Sequence, residues 1–269
     1  MFLEYWGLSK QPFINVPDPE FLFPSSGHEE AYLRLIYVIQ GRRGAALLSG
    51  DIGCGKTLLS RALVKKLPPQ RYDIALVTSP TLSSGEFLRE IVYQFEGKDG
   101  NHTNQQKLDT LHAINHRMMT NYRNGKDSIV IVDEAHLIME EREILEELRL
   151  LLNCQLDDRF LLTLILIGQP ELEEKIKRVP ALDQRIAIKC SLQPLTHQET
   201  SEYVSFRTKK AGANRQIFSE AAIERIYHVS QGIPRRINNI CDVSLLLGYV
   251  RKATIIDEET VESAAASAF

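Results

Sequence analysis

The sequence predicts a three-layer α/β sandwich, built on a mostly parallel five-stranded sheet and followed by a small helical domain. Three observations predict it. Apolar strand segments alternate with helical segments through the first two thirds of the chain, a glycine-rich turn joins the first strand to a helix, and strand signals fade after Pro194. Alternation at this spacing favours a parallel sheet with helices on both faces. The predicted domains are therefore 1–194, with a proline-rich start, and 195–269.

The elements of the first domain follow from apolar runs and from the residues that interrupt them. Runs rich in Ile, Leu and Val predict strands, and apolar residues at helical spacing predict helices. Prolines exclude a continuous helix in the first thirty residues. The predicted strands are 45–49, 74–78, 128–133, 161–168 and 186–192. The predicted helices are 28–39, 57–67, 84–95, 106–122 and 140–152, with a polar loop at 97–104.

Helix-start signals dominate the second domain. Thr196 and Glu199 have the spacing of a capping box, in which each side chain bonds the backbone N–H of the other. Ser219 and Asp257 are predicted N-caps, and Pro234 suits the first turn of a helix. We therefore expect four helices after residue 194.

Composition describes an ordinary globular chain of 269 residues with a formal net charge of −3. That charge does not by itself indicate nucleic acid or an anionic membrane as partner. The four cysteines include no C-x-x-C pair, which favours free thiols in a reducing cytoplasm. No apolar run reaches the roughly 18 residues that a membrane span needs, and no signal peptide is predicted. We therefore expect a cytoplasmic chain.

A phosphate-binding loop is predicted where the sequence matches G-x-x-x-x-G-K-[ST]. Glycines let the backbone curl so that successive N–H groups face phosphate oxygens, and the following helix adds its positive end. Lys56 is expected to reach the β- and γ-phosphates of ATP, and the Thr57 hydroxyl to bind Mg²⁺. The expected nucleotide contacts are Gly50, Asp51, Ile52, Gly53, Cys54, Gly55, Lys56, Thr57 and Leu58.

Context argues against a chance match, because an apolar strand precedes the loop and a helix follows it. Cys54 is interpreted as a small residue that fits the loop. The alternative is a thiol acidified by the helix end and open to oxidation.

Two carboxylates end the most apolar predicted strand, 128–133. Asp133 is expected to hold Mg²⁺, and Glu134 to polarise the attacking water as general base. The alternative is a pair of acidic caps on the next helix. A strand–helix unit, 74–95, separates this pair from the phosphate loop along the chain. We interpret it as an extra strand between the two motifs, as in ATPases that place a glutamate beside the metal-binding aspartate.

Residues 133–136 also spell DEAH, a helicase signature. Helicases of that class need a second lobe of comparable size, and the chain after Pro194 is too short to supply one. We therefore interpret His136 as a helix-start residue rather than a coupling element.

Several short motifs resemble the general secretion pathway protein A (ExeA/GspA) group of bacterial AAA+ ATPases. Near the N-terminus they are Gly7-Leu8, Pro12-Phe13, Pro17-Asp18-Pro19, Phe21-Leu22-Phe23, Ser25 and His28-x-Glu30-Ala31. Farther along they are Gly168-Gln169-Pro170-Glu171-Leu172, Gln184-Arg185-Ile186 and Gly232-Ile233-Pro234-Arg235-Arg236-Ile237-Asn238-Asn239. The resemblance covers nearly the whole chain and implies a P-loop NTPase fold of the AAA+ type with a helical lid.

The resemblance also implies roles for four more residues. Gln169 matches the sensor-1 region, where a polar side chain orients the lytic water, and Arg235 matches sensor 2 on the lid. Arg185 matches the position from which an arginine reaches the γ-phosphate of a neighbouring subunit, and Arg178 is the second choice for this role. His28 lies where the group contacts adenine. An arginine that acts on a neighbouring subunit implies a homo-oligomer, either a ring or a filament. The alternative interpretation of each arginine is an ordinary surface residue.

Three functions are compatible with these residues. The resemblance implies Mg²⁺-dependent ATP hydrolysis coupled to assembly of a bacterial envelope or secretion machine, with a protein of that machine as partner. Members that serve secretion carry a membrane span and a peptidoglycan-binding region after the ATPase module, and this sequence stops short of both. The resemblance therefore implies either the cytoplasmic module of an inner-membrane protein or a free-standing branch of the group.

The second function is an ATP-dependent DNA-binding regulator of transposition. Residues 196–269 contain nine Lys and Arg against nine Asp and Glu, so only a local basic patch at 207–215 favours DNA. The third function is a nucleotide switch with negligible turnover. Glu134 argues against it, because a pure switch has less need of a general base.

Overall fold

The computed structural model describes residues 2–78, 82–96, 106–140, 142–156 and 159–268. The predicted polar loop at 97–104 lies outside the described residues. The chain forms two compact units. We call them the sheet unit, which contains Glu29–Gly50 and Leu59–Leu192, and the loop–lid unit, which contains Met1–His28, Asp51–Leu58 and Gln193–Phe269.

Strands and helices alternate in the first part of the chain, and helices alone follow in the last part. The strands are β1 (Ala45–Gly50), β2 (Tyr72–Val77), β3 (Asp127–Val132), β4 (Gln155–Leu156), β5 (Arg159–Phe160), β6 (Leu162–Gly168) and β7 (Ile186–Leu192). The helices are α1 (Phe2–Tyr5), α2 (Ser26–Gly41), α3 (Lys56–Lys66), α4 (Ser84–Glu96), α5 (Lys107–Arg123), α6 (Arg142–Leu151), α7 (Glu171–Lys177), α8 (Pro180–Asp183), α9 (His197–Lys210), α10 (Glu220–Ser230), α11 (Pro234–Val250) and α12 (Glu258–Ala268). Short 3₁₀ helices cover Pro19–Phe21 and Ala135–Glu140.

The sheet unit is built on five parallel strands in the order β2-β3-β6-β1-β7. Its three central strands, β3, β6 and β1, are buried along their whole length. Burial on both faces explains why these strands are continuous apolar runs rather than alternating patterns. The predicted fold class is confirmed, and all five predicted strands appear. The sequence did not reveal β4 and β5, which pair as a separate two-stranded antiparallel ribbon.

The position of one strand differs from the prediction. The strand that separates β1 from β3 in the sheet is β6, which pairs with both, whereas β2 lies at the edge beside β3. The segment 74–95 therefore supplies an edge strand and not the inserted one. Order along the chain does not fix order in a sheet, because a crossover connection can pass over a strand position that a later strand fills.

Helices of the sheet unit pack through apolar stripes. In α4 the buried side chains recur at helical spacing, and they join the core formed by the strands; they are Phe87, Leu88, Ile91, Val92 and Phe95. Each such side chain contributes about 1.5–3 kcal/mol when fully removed from water. This burial fixes the helices against the sheet and hence the strand ends from which the site residues project.

The loop–lid unit has a core of its own, formed by the N-terminal segment and helices α9 to α12. Trp6 is 1% exposed, and its indole Nε1 donates to the Leu245 carbonyl over 2.9 Å. All four helices predicted after residue 194 are present, and the capping box of Thr196 and Glu199 forms as expected. None of the helices in the described part of the chain is both long and apolar enough to cross a membrane.

The N-terminal segment packs in a different unit from the one that the sequence analysis assigned to it. Arg207 of α9 is buried, and its guanidinium donates to the carbonyl oxygens of Pro12 at 2.5 Å and Ile14 at 3.1 Å. Phe13 and Phe21 are buried in the same unit. A boundary drawn where strand signals fade cannot show which body an irregular, proline-rich segment packs against, because that depends on long-range contacts.

Candidate nucleotide site

The predicted phosphate loop follows β1 directly and runs into α3, as the motif requires. Two of its glycines adopt positive φ values, +88° at Gly53 and +97° at Gly55. A Cβ atom at Gly53 would lie 2.7 Å from the Cβ of Arg235, and one at Gly55 would lie 2.8 Å from Nε2 of His28. Both positions therefore require glycine for backbone conformation and for space.

Lys56 and Thr57 open α3 at the end of this loop. Lys56 is only 6% exposed, and its ammonium donates to the carbonyl oxygen of Asp51, five residues back in the loop, over 2.9 Å. The charge is thereby held inside the curve of the loop. A buried ammonium and glycines that admit no side chain form the kind of cradle that fits an anionic phosphate group.

Cys54 is buried within the loop. Burial raises the pKa of its thiol, the charge of Asp51 raises it further, and Lys56 lowers it by less. The interpretation of Cys54 as an acidified thiol is therefore wrong, because desolvation of the thiolate outweighs the positive surroundings.

His28 fastens the loop to the N-terminal segment. Its Nε2 lies 3.0 Å from the Cys54 carbonyl oxygen, and its Nδ1 lies 2.7 Å from Oγ of Ser25. Since the carbonyl can only accept, Nε2 carries the proton and Nδ1 accepts from the serine hydroxyl. Burial lowers the pKa of His28, against smaller raising effects of the Cys54 carbonyl and Glu199. The ring is therefore neutral near pH 7.

A small cavity adjoins His28 in the loop–lid unit. Its volume is about 30 Å³, close to the share of liquid volume that one water molecule takes. It is lined by Leu22, Phe23, His28, Gly55, Leu58, Leu195, Tyr203 and Pro234. Adenine is much larger than this cavity, and the expected contact between His28 and adenine stays a prediction.

Arg235 lies beside the loop through its backbone. Its N–H, in the first turn of α11, donates to the Gly53 carbonyl oxygen over 3.2 Å, and its side chain is exposed. The turn before α11 depends on Gly232, whose φ is +72° and whose added Cβ would overlap the carbonyl of Leu195. This glycine thus sets the direction in which α11 approaches the loop.

Glu199 joins the starts of two helices in the loop–lid unit. One carboxylate oxygen accepts from N and Oγ of Ser26, and the other accepts from N and Oγ1 of Thr196. Burial acts to raise the pKa of Glu199, but these four hydrogen bonds together lower it. The sequence predicted the capping box but not the bonds to Ser26.

The acidic pair ends β3 in the sheet unit. Asp133 is 3% exposed, and its Oδ1 accepts from the N–H of Glu134 over 2.9 Å. Glu134 has a φ of +53°, which is a left-handed conformation that side chains other than glycine rarely adopt. Its side chain is 42% exposed. The buried aspartate and the accessible glutamate therefore occupy different environments although they are adjacent in sequence.

Gln169 and His136 lie against each other beside this pair. Nε2 of Gln169 is 2.9 Å from Nε2 of His136, and Oε2 of Glu134 is 3.4 Å from Nδ1 of the same ring. The prediction of His136 as a helix-start residue describes its place in the 3₁₀ helix but misses these contacts. The DEAH spelling was the signal that could have indicated them.

Arg185, the predicted arginine finger, bonds within its own unit. Its guanidinium donates to the Ala181 carbonyl oxygen and to Oδ1 of Asn153, each over 2.6 Å. Contact with a neighbouring subunit would therefore require these two bonds to be exchanged. The structure places Arg185 just before β7, and neither of these two bonds is to Glu134 or Gln169.

Three neighbouring strands bring the predicted residues to one edge of the sheet. β3 ends at Asp133 and Glu134, and β6 ends at Gln169. β1 lies next to β6 and ends at Gly50, where the loop begins. Because parallel strands share an orientation, these ends lie at the carboxyl edge, where ligands of open α/β sheets bind.

The sequence is similar to a known family and to a curated protein. The model of the AAA domain family matches residues 39–176. General secretion pathway protein A of Aeromonas hydrophila is 38% identical over 253 residues, which are 93% of this chain and 45% of that protein. The chain thus spans less than half the length of this relative.

Solved structures share the fold at low sequence identity. The ORC2 protein of Aeropyrum pernix, in ADPNP–ADP complexes, has a TM-score of 0.73 at 18% identity, covering 96% of this chain and 71% of that one. Drosophila ORC bound to DNA has a TM-score of 0.71 at 17% identity, covering 96% and 64%. The resemblance to the general secretion pathway protein A group is confirmed, and the chain belongs to the AAA domain family of AAA+ ATPases.

Proposed function

We propose that this ATPase hydrolyses ATP with Mg²⁺ and that the reaction drives assembly of a bacterial envelope or secretion machine. The observation that carries the first part is the common edge of β3, β6 and β1. There the acidic pair, Gln169 and the start of the phosphate loop follow three adjacent strand ends.

The residues of the loop fit a triphosphate. Gly53 and Gly55 leave no room for a side chain, and the buried Lys56 places a positive charge inside the loop, where its ammonium donates to the Asp51 carbonyl oxygen. We assign Lys56 to the β- and γ-phosphates, and the contacts of residues 50–58 to the phosphate chain. His28 and Arg235 complete the proposed nucleotide contacts.

The residues proposed for the metal are a hydroxyl and a carboxylate, Thr57 and Asp133. Oxygen ligands of this kind fit Mg²⁺, which usually takes one or two protein ligands together with substrate phosphates and water. When bound, the ion neutralises charge that develops on the transferred phosphoryl group.

The proposed base is Glu134, whose side chain is accessible enough to meet water. Its carboxylate would accept the proton of the attacking water, and Gln169 would orient that water through its amide. Removal of a general base typically lowers the rate about 10²- to 10⁴-fold.

Two substitutions test this assignment. Lys56→Ala should abolish ATP binding in a fluorescence titration with a labelled ATP analogue. Glu134→Gln should retain binding but lose turnover about 100-fold or more, because an amide cannot take the proton. Turnover of Glu134→Gln at the parental rate would remove the base assignment, and full binding by Lys56→Ala would remove the loop assignment.

Oligomerisation is typical of AAA+ ATPases, and we propose that Arg185 acts on the γ-phosphate of a neighbouring subunit. The name of the Aeromonas relative supports a protein partner in a secretion machine. Sedimentation with a slowly hydrolysed ATP analogue tests assembly. A strict monomer at high protein concentration would contradict both the oligomer and the role of Arg185.

The alternative function is an ATP-dependent DNA-binding regulator, and the similarity to Drosophila ORC bound to DNA supports it. The structure weakens one argument for it. Arg207, the first residue of the suspected basic patch, is buried and donates to backbone carbonyl oxygens of the N-terminal segment. A mobility shift of duplex DNA that appears only with ATP and disappears at high salt would favour this function.

A further inference from the structure

The imidazole of His136 stands between the proposed base and the predicted sensor residue. Its Nδ1 lies 3.4 Å from Oε2 of Glu134 and accepts from the backbone N–H of Gln169 over 3.5 Å, and its Nε2 lies 2.9 Å from the Gln169 side-chain amide nitrogen. The ring is mostly buried, with 12% of its side chain exposed. Its own carbonyl oxygen accepts from the ammonium of Lys175 over 3.0 Å, which fixes the backbone behind it.

A neutral imidazole has one donor and one acceptor, so it cannot satisfy all of these neighbours at once. When the NH₂ group of Gln169 faces the ring, Nε2 must accept, and Nδ1 carries the proton and donates to Glu134. When the amide turns so that its oxygen faces the ring, Nε2 carries the proton. Nδ1 then presents a lone pair, which can accept from the Gln169 backbone N–H but cannot bind the carboxylate.

We propose that His136 is a positioning residue that holds Glu134 or releases it according to the orientation of the Gln169 amide. This inference rests on the proposed function, in which Glu134 is the base. A phosphate oxygen that attracts the NH₂ group of Gln169 turns the amide oxygen toward His136. The proton of the ring then moves from the Nδ1 side to the Nε2 side through solvent, and the carboxylate of Glu134 becomes available to water.

The strained backbone of Glu134 agrees with such a device. Its φ of +53° belongs to a conformation that persists only where surrounding contacts maintain it. In the described part of the chain, Asp133 bonds the N–H of Glu134 and His136 contacts its carboxylate. The base is therefore held at both its backbone and its side chain.

Nitrogen-15 NMR of the 269-residue chain, labelled at histidine, tests the tautomer directly. The His136 signals are assigned by their loss in His136→Asn. We expect the Nδ1–H tautomer without nucleotide and the Nε2–H tautomer with Mg²⁺ and ATPγS. In Gln169→Met, which has no amide, the change should be absent. Lys175→Met should retain it, because the ammonium of Lys175 donates to the backbone carbonyl oxygen of His136.

Three NMR results would overturn the inference. They are an Nε2–H ring before nucleotide is added, an Nδ1–H ring in both states, and an unchanged shift of tautomer in Gln169→Met. Binding of ATPγS is measured on the same samples, so failure to bind identifies failure of the proposed function instead.

Steady-state kinetics provide a second test that does not depend on NMR. Gln169→Met should lower kcat about 10-fold or more with little change in KM, because Glu134 stays bound to the ring. Adding His136→Asn should raise kcat of Gln169→Met about threefold, because the carboxylate is then freed.

A double variant that is as slow as Gln169→Met, or slower, overturns the inference. If Glu134→Gln keeps the parental rate, the base assignment of the proposed function fails. The role of His136 is tested separately, by the double variant. Thermal midpoints of all variants show whether each one is folded.

Discussion

The phosphate loop and the acidic pair both need left-handed backbone, but they obtain it from different residues. The loop uses glycine, at Gly53 and Gly55, where positive φ values carry no steric cost. The acidic pair uses Glu134, at a φ of +53°, where a side chain costs about 1–2 kcal/mol relative to glycine. The loop thus reaches its conformation without steric cost, whereas the backbone at Glu134 is strained and positions a carboxylate.

The two regions also differ in what holds them. The loop is fastened through main-chain atoms, since the carbonyl oxygens of Asp51, Gly53 and Cys54 accept from Lys56, Arg235 and His28 respectively. The carboxylate of Glu134 is instead contacted by the ring of His136. Substitutions that add a Cβ should therefore damage the loop most, and substitutions that change hydrogen bonding should damage the acidic pair most.

The largest effect is expected from Gly53→Ala. The new Cβ would lie 2.7 Å from the Cβ of Arg235 at a φ of +88°, so the loop must shift and its N–H groups lose their common direction. ATP affinity, measured by isothermal titration, should fall about 5- to 30-fold, since left-handed strain of about 1–2 kcal/mol disfavours the loop conformation that binds phosphate. Gly27→Ala is the matched control, because no atom lies within 4 Å of its Cβ and its affinity should not change.

A smaller effect is expected from Glu199→Gln, which tests the support of the loop–lid unit. The glutamine amide has one acceptor oxygen where the carboxylate has two, so it cannot accept from both Ser26 and Thr196. Helix-capping bonds are therefore lost. Loss of such a cap costs about 0.5–2 kcal/mol and should lower the thermal midpoint by several degrees. Glu202→Gln on the same helix, whose carboxylate accepts from the Gln198 side-chain amide one turn away, should leave the midpoint unchanged.

The strain at Glu134 predicts a gain in stability where glycine replaces a residue with a side chain. Glu134→Gly and Glu134→Ala both remove the carboxylate, but only glycine relieves the left-handed conformation. The glycine variant should therefore be more stable than the alanine variant by about 1 kcal/mol in urea unfolding. Equal stability, or a more stable alanine variant, would show that the strain is absent.

The smallest effect is expected from acid, through His28. Burial lowers the pKa of the folded ring below its ordinary value of 6.5, so the unfolded chain binds a proton first as the pH falls. The contribution of His28 to the free energy of unfolding is fully present above pH 6.5, and it declines as the pH falls toward the lowered pKa. His28→Gln should lose less thermal stability than the parent between about pH 7.5 and about pH 5.5. A larger loss in the variant would contradict the assignment.

Local patterns in the sequence determined the sheet, its helices and the phosphate loop. Apolar runs mark the central strands because both faces are buried, and the glycines of the loop mark backbone that no other residue adopts cheaply. The capping box at Thr196 is equally local, since its partners lie three residues apart. Interactions of this kind are complete within a short segment, so their signals survive in the sequence alone.

Tertiary structure alone decided the place of β6 between β1 and β3, the packing of the N-terminal segment with α9, and the contact of His136 with Gln169. His136 and Gln169 are 33 residues apart, and Arg207 reaches a carbonyl 195 residues away. Such contacts leave no periodic pattern or spacing in the chain, because their partners meet only after the strands and helices have packed. The sequence therefore indicated which residues carry the chemistry, and the folded chain decided what holds each of them in place.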